Sequence, residues 1–250
     1  MTFTIDPVQV TAFVLGLVRA TAWVFVAPPF STRGIPGRVK FGFAAALALA
    51  AAPGVTSASV PLDTGGFIGA LLTQVLVGLG LGFVTMLLFA AVQAAGSLVD
   101  MFAGFSIAQI YDPLSAANVA VFGRFYQLLA TTLLFVTDAH LLLVKGFLTS
   151  FQAVPTSGLQ LGDFSRLLTH DVSLFLVAAI EVAAPVLGVL FLAEVALGLL
   201  ARAAPQMNIM NFAFGFRIIV ALMLVGAAIP LVAPAMSNLV GHVLSGTTAH

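Results

Sequence analysis

The chain is expected to be an all-α, multi-helix membrane protein of about six hydrophobic segments forming long, kinked hairpins. Three observations lead there. Of its 250 residues, 61% are hydrophobic and only 7% are charged, whereas a soluble domain carries roughly 25% charged residues. Apolar runs of helix length recur along the chain, and basic residues collect in two of the breaks between them: Arg33, Arg38 and Lys40 in one, Arg202 and Arg217 in the other.

The same composition removes several classes of function. Net charge is zero, which argues against nucleic-acid binding. With no cysteine there are no disulfides or thiolate metal sites, and His140, His170, His242 and His250 are too scattered to suggest a metal cluster. An acid and no base precede the first apolar run, so the N-terminus reads as part of the mature protein and not as a cleaved signal.

The first span is expected over Val8–Ala27, with Arg19 as its one charge. The second, "FGFAAALALAAA" from Phe41 to Ala52, is short and rich in small side chains. It crosses a bilayer only if Ile35–Lys40 contribute, and otherwise it packs inside a larger assembly. The third, Phe67–Phe102, is 36 residues long, about 54 Å of helix against a hydrocarbon core of about 30 Å. Gly78, Gly80 and Gly82 in "VGLGLGF", and Gly96 in "AAGSL", are its candidate hinge or packing positions. A similarly long fourth segment is expected over Val119–Phe151, then a turn-rich loop over Val154–Asp171. The fifth, Val172–Ala201, contains Pro185, Glu181 and Glu194, and the sixth runs from Ile218 to about Met236. By the positive-inside rule both basic breaks lie in the cytoplasm, with the termini outside.

Between the third and fourth segments stands "AGFSIAQIYDPLSAAN", Ala103 to Asn118. Pro113 has no amide donor and biases Asp112 away from helix, Gly104 permits a tight bend, and Phe105, Ile107 and Ile110 keep the segment apolar. Non-helical backbone at membrane depth persists only where protein buries it or where it lines an aqueous cavity. The segment is therefore either an ordinary buried re-entrant turn or a constriction in a pore.

Little here points to catalysis. The "GLGLG" run lacks the Lys-Ser/Thr pair of a phosphate-binding loop. Tyr111-Asp112 resembles half of an intramembrane aspartyl protease, but the second Gly-x-Gly-Asp motif is missing, leaving Asp100 as the one acid to propose beside it. Nucleophile-elbow and His-Glu-x-x-His motifs are absent. Arg19, Glu181 and Glu194 are costly at mid-bilayer, which suggests either an ion path or, more simply, pairing inside protein. Glu181 and Glu194 face about 220° apart on a helix, which disfavours a shared relay.

Four stretches in order resemble the FliR/SctT export-gate family of type III secretion systems. They are "PPFSTRGIPGRVKFGFAAALALAAAP", "GLGLGFVTMLLFAAVQAAGSLVDMFAGFSIAQIYDP", "DAHLLLVKGFLTSFQAVP" and "APQMNIMNFAFGFRI", and together they cover nearly the whole chain. Two departures stand out: Asp138-Ala139 before His140, and Asn211-Phe212-Ala213 before Gly215.

The resemblance implies a non-enzymatic subunit, without cofactor, of a helical ring containing about five FliP and about four FliQ copies, joined by FlhB and an FlhA-type protein. Residues 1–171 would be the FliP-like part and residues 172–245 the FliQ-like hairpin, turning at Pro205, Gln206 and Asn208. Loop 103–118 would plug the channel, with Phe102, Gly104, Phe105, Ile107, Ile110, Tyr111, Asp112 and Pro113 in or beside it. Asp100 and Asp112 would hydrogen-bond the base of that loop. Unfolded export substrates would pass when it swings aside. Location in the bacterial inner membrane at the flagellar basal body follows from the same likeness. Raw hydropathy also allows a small-molecule secondary transporter, although no internal repeat of the kind those proteins show is evident.

Overall fold

The computed structural model describes residues 7–52, 63–104, 120–153, 161–203, 213 and 215–227. Among these the regular structure is entirely helical: α1 (Pro7–Val26), α2 (Gly37–Ala51), α3 (Thr64–Ala103), α4 (Val121–Val136), α5 (Ala139–Ala153), α6 (Leu161–Ala203) and α7 (Gly215–Ala227). Three of them, through Val8–Val26, Thr64–Ala103 and Ala179–Ala203, are long and apolar enough to cross a membrane, and a fourth span results if α4 and α5 together make one. The protein is an all-α membrane protein.

Several boundaries differ from the sequence reading. The expected long fourth helix is broken at Asp138, whose φ of 56° is left-handed, so α4 ends and α5 begins there. The amide of Thr137 still donates to Leu133 O, and the chain resumes with Leu141 N donating to Asp138 O. Asp tolerates this backbone better than most residues because its short polar side chain bonds locally. Helix α6 starts at Leu161, inside the stretch expected to be a loop, and it carries Pro185 without interruption. Helix α2 begins at Gly37 and has 15 residues, about 22 Å. It is not among the helices long enough to cross.

Contacts divide the chain into two compact units. One takes in α1, α2, α3 up to Leu88, and α5 with the start of α6. Its core is built on α1, where Leu15, Arg19, Ala20, Trp23 and Val24 are fully or almost fully buried. Ala44, Leu47, Ala48 and Ala51 form the buried stripe of α2, and a Cβ added to Gly16 of α1 would rest 3.8 Å from the Ala48 Cβ. Small residues on both sides bring these two helices together.

Trp23 organises the aromatic part of this core. Its ring stacks on Phe147 at 4.9 Å and meets Phe30 at 5.4 Å, while its indole N–H donates to Thr85 Oγ1 at 3.3 Å. Phe30 reaches Phe43 at 5.1 Å, tying the turn after α1 to α2. Lys40 is buried and folds back to donate from Nζ to Ser31 O at 2.9 Å. One of the charges used to orient the chain therefore closes a turn.

The other unit holds α3 from Phe89, α4, α6 from Leu174, and α7. Ala91 and Ala179 pack together with Ala94 beside them, joining α3 to α6. Arg217 of α7 donates to Glu194 of α6 at 2.5 Å, joining the two helices.

Candidate functional site

Two polar constructions stand out in an otherwise apolar interior. The first surrounds Arg19, which has no exposed surface. Its Nε donates to Gln74 Oε1 at 2.7 Å, and its Nη1 donates to the Ser150 carbonyl at 3.0 Å and Ser150 Oγ at 3.3 Å. The guanidinium carbon lies 4.1 Å from the centre of the Phe151 ring. Ser150 belongs to the last turn of α5, where carbonyls lack helical partners and a cation is favoured. Arg19 thus joins α1, α3 and α5 through neutral acceptors. The sequence marked it as costly but contained no sign of Gln74 or Ser150 as its partners.

The second construction closes the base of the segment that begins at Ala103. Helix α3 ends with Ala103 fully buried, and Gly104, at φ 86°, donates its amide to Met101 O at 3.3 Å. That backbone is open to glycine and strained for other residues. Helix α4 starts after Ala120, which makes no side-chain cap. Asp100, 4% exposed, supplies the cap from α3: Oδ1 accepts from Phe122 N at 3.1 Å and Oδ2 from Gly123 N at 3.0 Å. An anion at these amides satisfies two orphan donors and sits at the positive end of the helix dipole.

Glycine makes the approach possible. A Cβ at Gly96, one turn before Asp100, would lie 2.5 Å from Phe122 O and 2.8 Å from Gly123 Cα, while a Cβ at Gly123 would lie 2.7 Å from Ser97 Oγ. Gly78 and Gly82 make a matching contact elsewhere on α3: their Cβ atoms would stand 2.5 Å from Arg19 O and 2.7 Å from Val26 Cβ. The two glycines share one face by their four-residue spacing, and no break in α3 occurs at them or at Gly80.

Of the residues assigned to the plug, Phe102 is 40% exposed and Gly104 is buried. Phe105, Ile107, Ile110, Tyr111, Asp112 and Pro113 lie outside the described residues, as do Pro205, Gln206 and Asn208 of the expected hairpin turn. Glu181 is exposed on α6. Both oxygens of Asp100 are taken up by backbone amides of α4. No group of three metal-ligating side chains occurs among the described residues.

A set of apolar spans, bonded internally through a buried arginine and with Asp100 joining α3 to α4, defines a helical integral-membrane protein. The model of the family described as bacterial export proteins, family 1, matches residues 10–243. The chain belongs to that family, and its FliR-type members include close relatives. It is 33% identical over 230 residues to the flagellar biosynthetic protein FliR of Escherichia coli (strain K12), covering 92% of this chain and 88% of that one. It is 34% identical over 203 residues to FliR of Bacillus subtilis (strain 168), covering 79% and 78%. The surface presentation of antigens protein SpaR of Shigella flexneri is 27% identical over 152 residues, covering 61% of this chain and 59% of its own length.

Proposed function

We propose that the chain is a non-enzymatic subunit of the flagellar protein-export gate, in which residues 103–118 plug the channel against ions until an unfolded substrate passes. The observation that carries this is the base of the segment. Asp100 and the Gly96–Gly123 contact hold the end of α3 against the start of α4, so Gly104 and Ala120, which bound the stretch, are anchored at one place. An apolar segment so held can block ions by excluding water, with no need to bind anything tightly. Phe102, at the exit of α3, is partly exposed and available to such a seal.

The flagellar assignment rests on relatives named flagellar biosynthetic proteins, which match at higher identity and coverage than the surface-presentation protein. In this reading the partners are FliP and FliQ chains in a ring, with FlhB and an FlhA-type protein associated, in the bacterial inner membrane. Residues 1–171 act as the FliP-like part and 172–245 as a FliQ-like hairpin. The large side chains exposed along α3 and α6, among them Leu72, Leu76, Ile180, Phe191 and Leu192, suit burial by neighbouring subunits or lipid.

Deleting Gly104–Ile110 tests the plug. The assembled gate should then leak ions across the membrane, visible as conductance or slowed growth. A gate that assembles normally and stays tight places the seal elsewhere.

A further inference from the structure

The basic residues in and after the turn from α1 to α2 are placed in two different ways. Lys40 is buried, folds back to Ser31 O and lies 5.5 Å from the centre of the Phe25 ring, so its charge is taken up inside the fold. Arg33 and Arg38 are exposed, and among the described residues their side chains form no hydrogen bond or ion pair. The backbone that presents them is held. Ser31 N donates to Ala27 O at 3.1 Å, Ile35 N donates to Thr32 O at 3.3 Å, and Phe30 packs on both Trp23 and Phe43. A Cβ added at Gly34 or Gly37 would meet nothing within 4 Å, so no described residue covers the turn there.

We propose that this turn is an anionic-lipid site, in which Arg33 and Arg38 bind the phosphates of acidic headgroups while Phe25, Val39 and Phe41 lie among the first acyl carbons. Its place along the chain carries the argument. The span Val8–Val26 has 19 residues, about 28 Å of helix against a hydrocarbon core of about 30 Å, so the turn that follows it comes at headgroup level. Phe25, Val39 and Phe41, each about half exposed, bring apolar surface beside the two charges, a combination that matches the boundary between acyl chains and headgroups. Each arginine is permanently charged and offers a planar fork of donors to phosphate oxygens. The position at the end of a span, and not charge alone, favours a lipid over an acidic protein segment. The site does not depend on whether residues 103–118 seal a channel.

The test uses the full chain, purified in neutral detergent with the subunits that accompany it. Arg33→Gln, Arg38→Gln, their combination and the paired Arg33→Lys and Arg38→Lys variant are compared with the parental protein. Native mass spectrometry reads the lipid retained from equal additions of phosphatidylglycerol and phosphatidylcholine. The parental protein should retain phosphatidylglycerol in preference. That preference should fall about fivefold for each arginine replaced by glutamine, persist in the lysine pair, and weaken with added salt. Equal retention of the two lipids by the parental protein, or an undiminished preference in the glutamine pair, overturns the site.

Further readouts separate the alternatives. Inorganic phosphate at the concentration of the lipid should not displace it, because the acyl chains add apolar contacts that phosphate lacks; displacement overturns the lipid assignment. A glutamine pair that keeps its lipid preference but loses an accompanying subunit makes the turn a dock for an acidic protein segment, which also overturns it. Both arginines are exposed, so the thermal midpoint of the glutamine pair without added lipid should match the parental one; a lowered midpoint makes them folding residues and overturns the site. Lys40→Gln, by contrast, should lower the midpoint and leave the preference of the folded protein unchanged. A loss of preference equal to that of Arg33→Gln assigns the effect to net charge and overturns the site.

Discussion

Arg19 carries a full charge into the interior of an apolar helix, and geometry makes this tolerable. Its fork reaches a glutamine oxygen, a C-terminal helix carbonyl and a serine hydroxyl together, with Phe151 beneath. A lysine is a point donor and cannot reproduce the fork. Arg19→Lys should therefore lower stability by about 1–3 kcal/mol, seen as a reduced thermal midpoint in detergent. Glycines offer a paired comparison on α3. Gly78→Ala pushes a methyl against the Arg19 carbonyl and should cost about 1–3 kcal/mol. Gly69, by contrast, has nothing within 4 Å of an added Cβ. Gly69→Ala should be neutral or stabilise by up to about 1 kcal/mol.

Pairs of helices in this protein are joined by side-chain polar bonds. The α3–α4 anchor is one such place, and Gly96→Ala should disrupt it by forcing a methyl to 2.5 Å from Phe122 O. The expected outcome is loss of ion tightness or of assembly. The α6–α7 pair is another. Glu194 is half exposed on an apolar helix and answered by Arg217. In hydrocarbon, an unanswered acid is penalised by at least about 2.5 kcal/mol. Arg217→Gln alone should reduce the yield of assembled complex, and adding Glu194→Gln should restore part of it. A double-mutant cycle on yield or melting measures that coupling.

The molecule as a whole exposes many large apolar side chains, far more than an isolated water-soluble subunit tolerates. Lipid covers some of such a surface, and the short α2 and the 40-residue α3 fit lipid poorly by themselves. Native mass distinguishes the two descriptions of function at this scale. Copurification in a complex several times larger than 25.8 kDa, with fixed stoichiometry, is expected for a gate subunit, whereas a substrate-responsive monomer or dimer would favour a transporter.

The residue types already determined the class of molecule. An apolar fraction this high, in continuous runs far longer than the roughly 10-residue alternating strands of a membrane barrel, leaves helices as the way to satisfy the backbone in a membrane. The stretch beginning at Ala103 was legible as unusual because proline and glycine disfavour helix locally. Which side chains answer one another was not legible. Asp100 and Gly123, or Arg19 and Ser150, are separated by 23 and 131 residues, and nothing in a local pattern specifies such pairs. The break at Asp138 escaped for a related reason: its neighbours are apolar enough to continue a helix, and one left-handed residue ends it. Sequence decided that this chain is helical and belongs in a membrane, because hydrophobicity and backbone bonding are local properties summed along the chain. Tertiary structure alone decided where its few charges rest, because a buried charge is settled by donors and acceptors that only folding brings within reach.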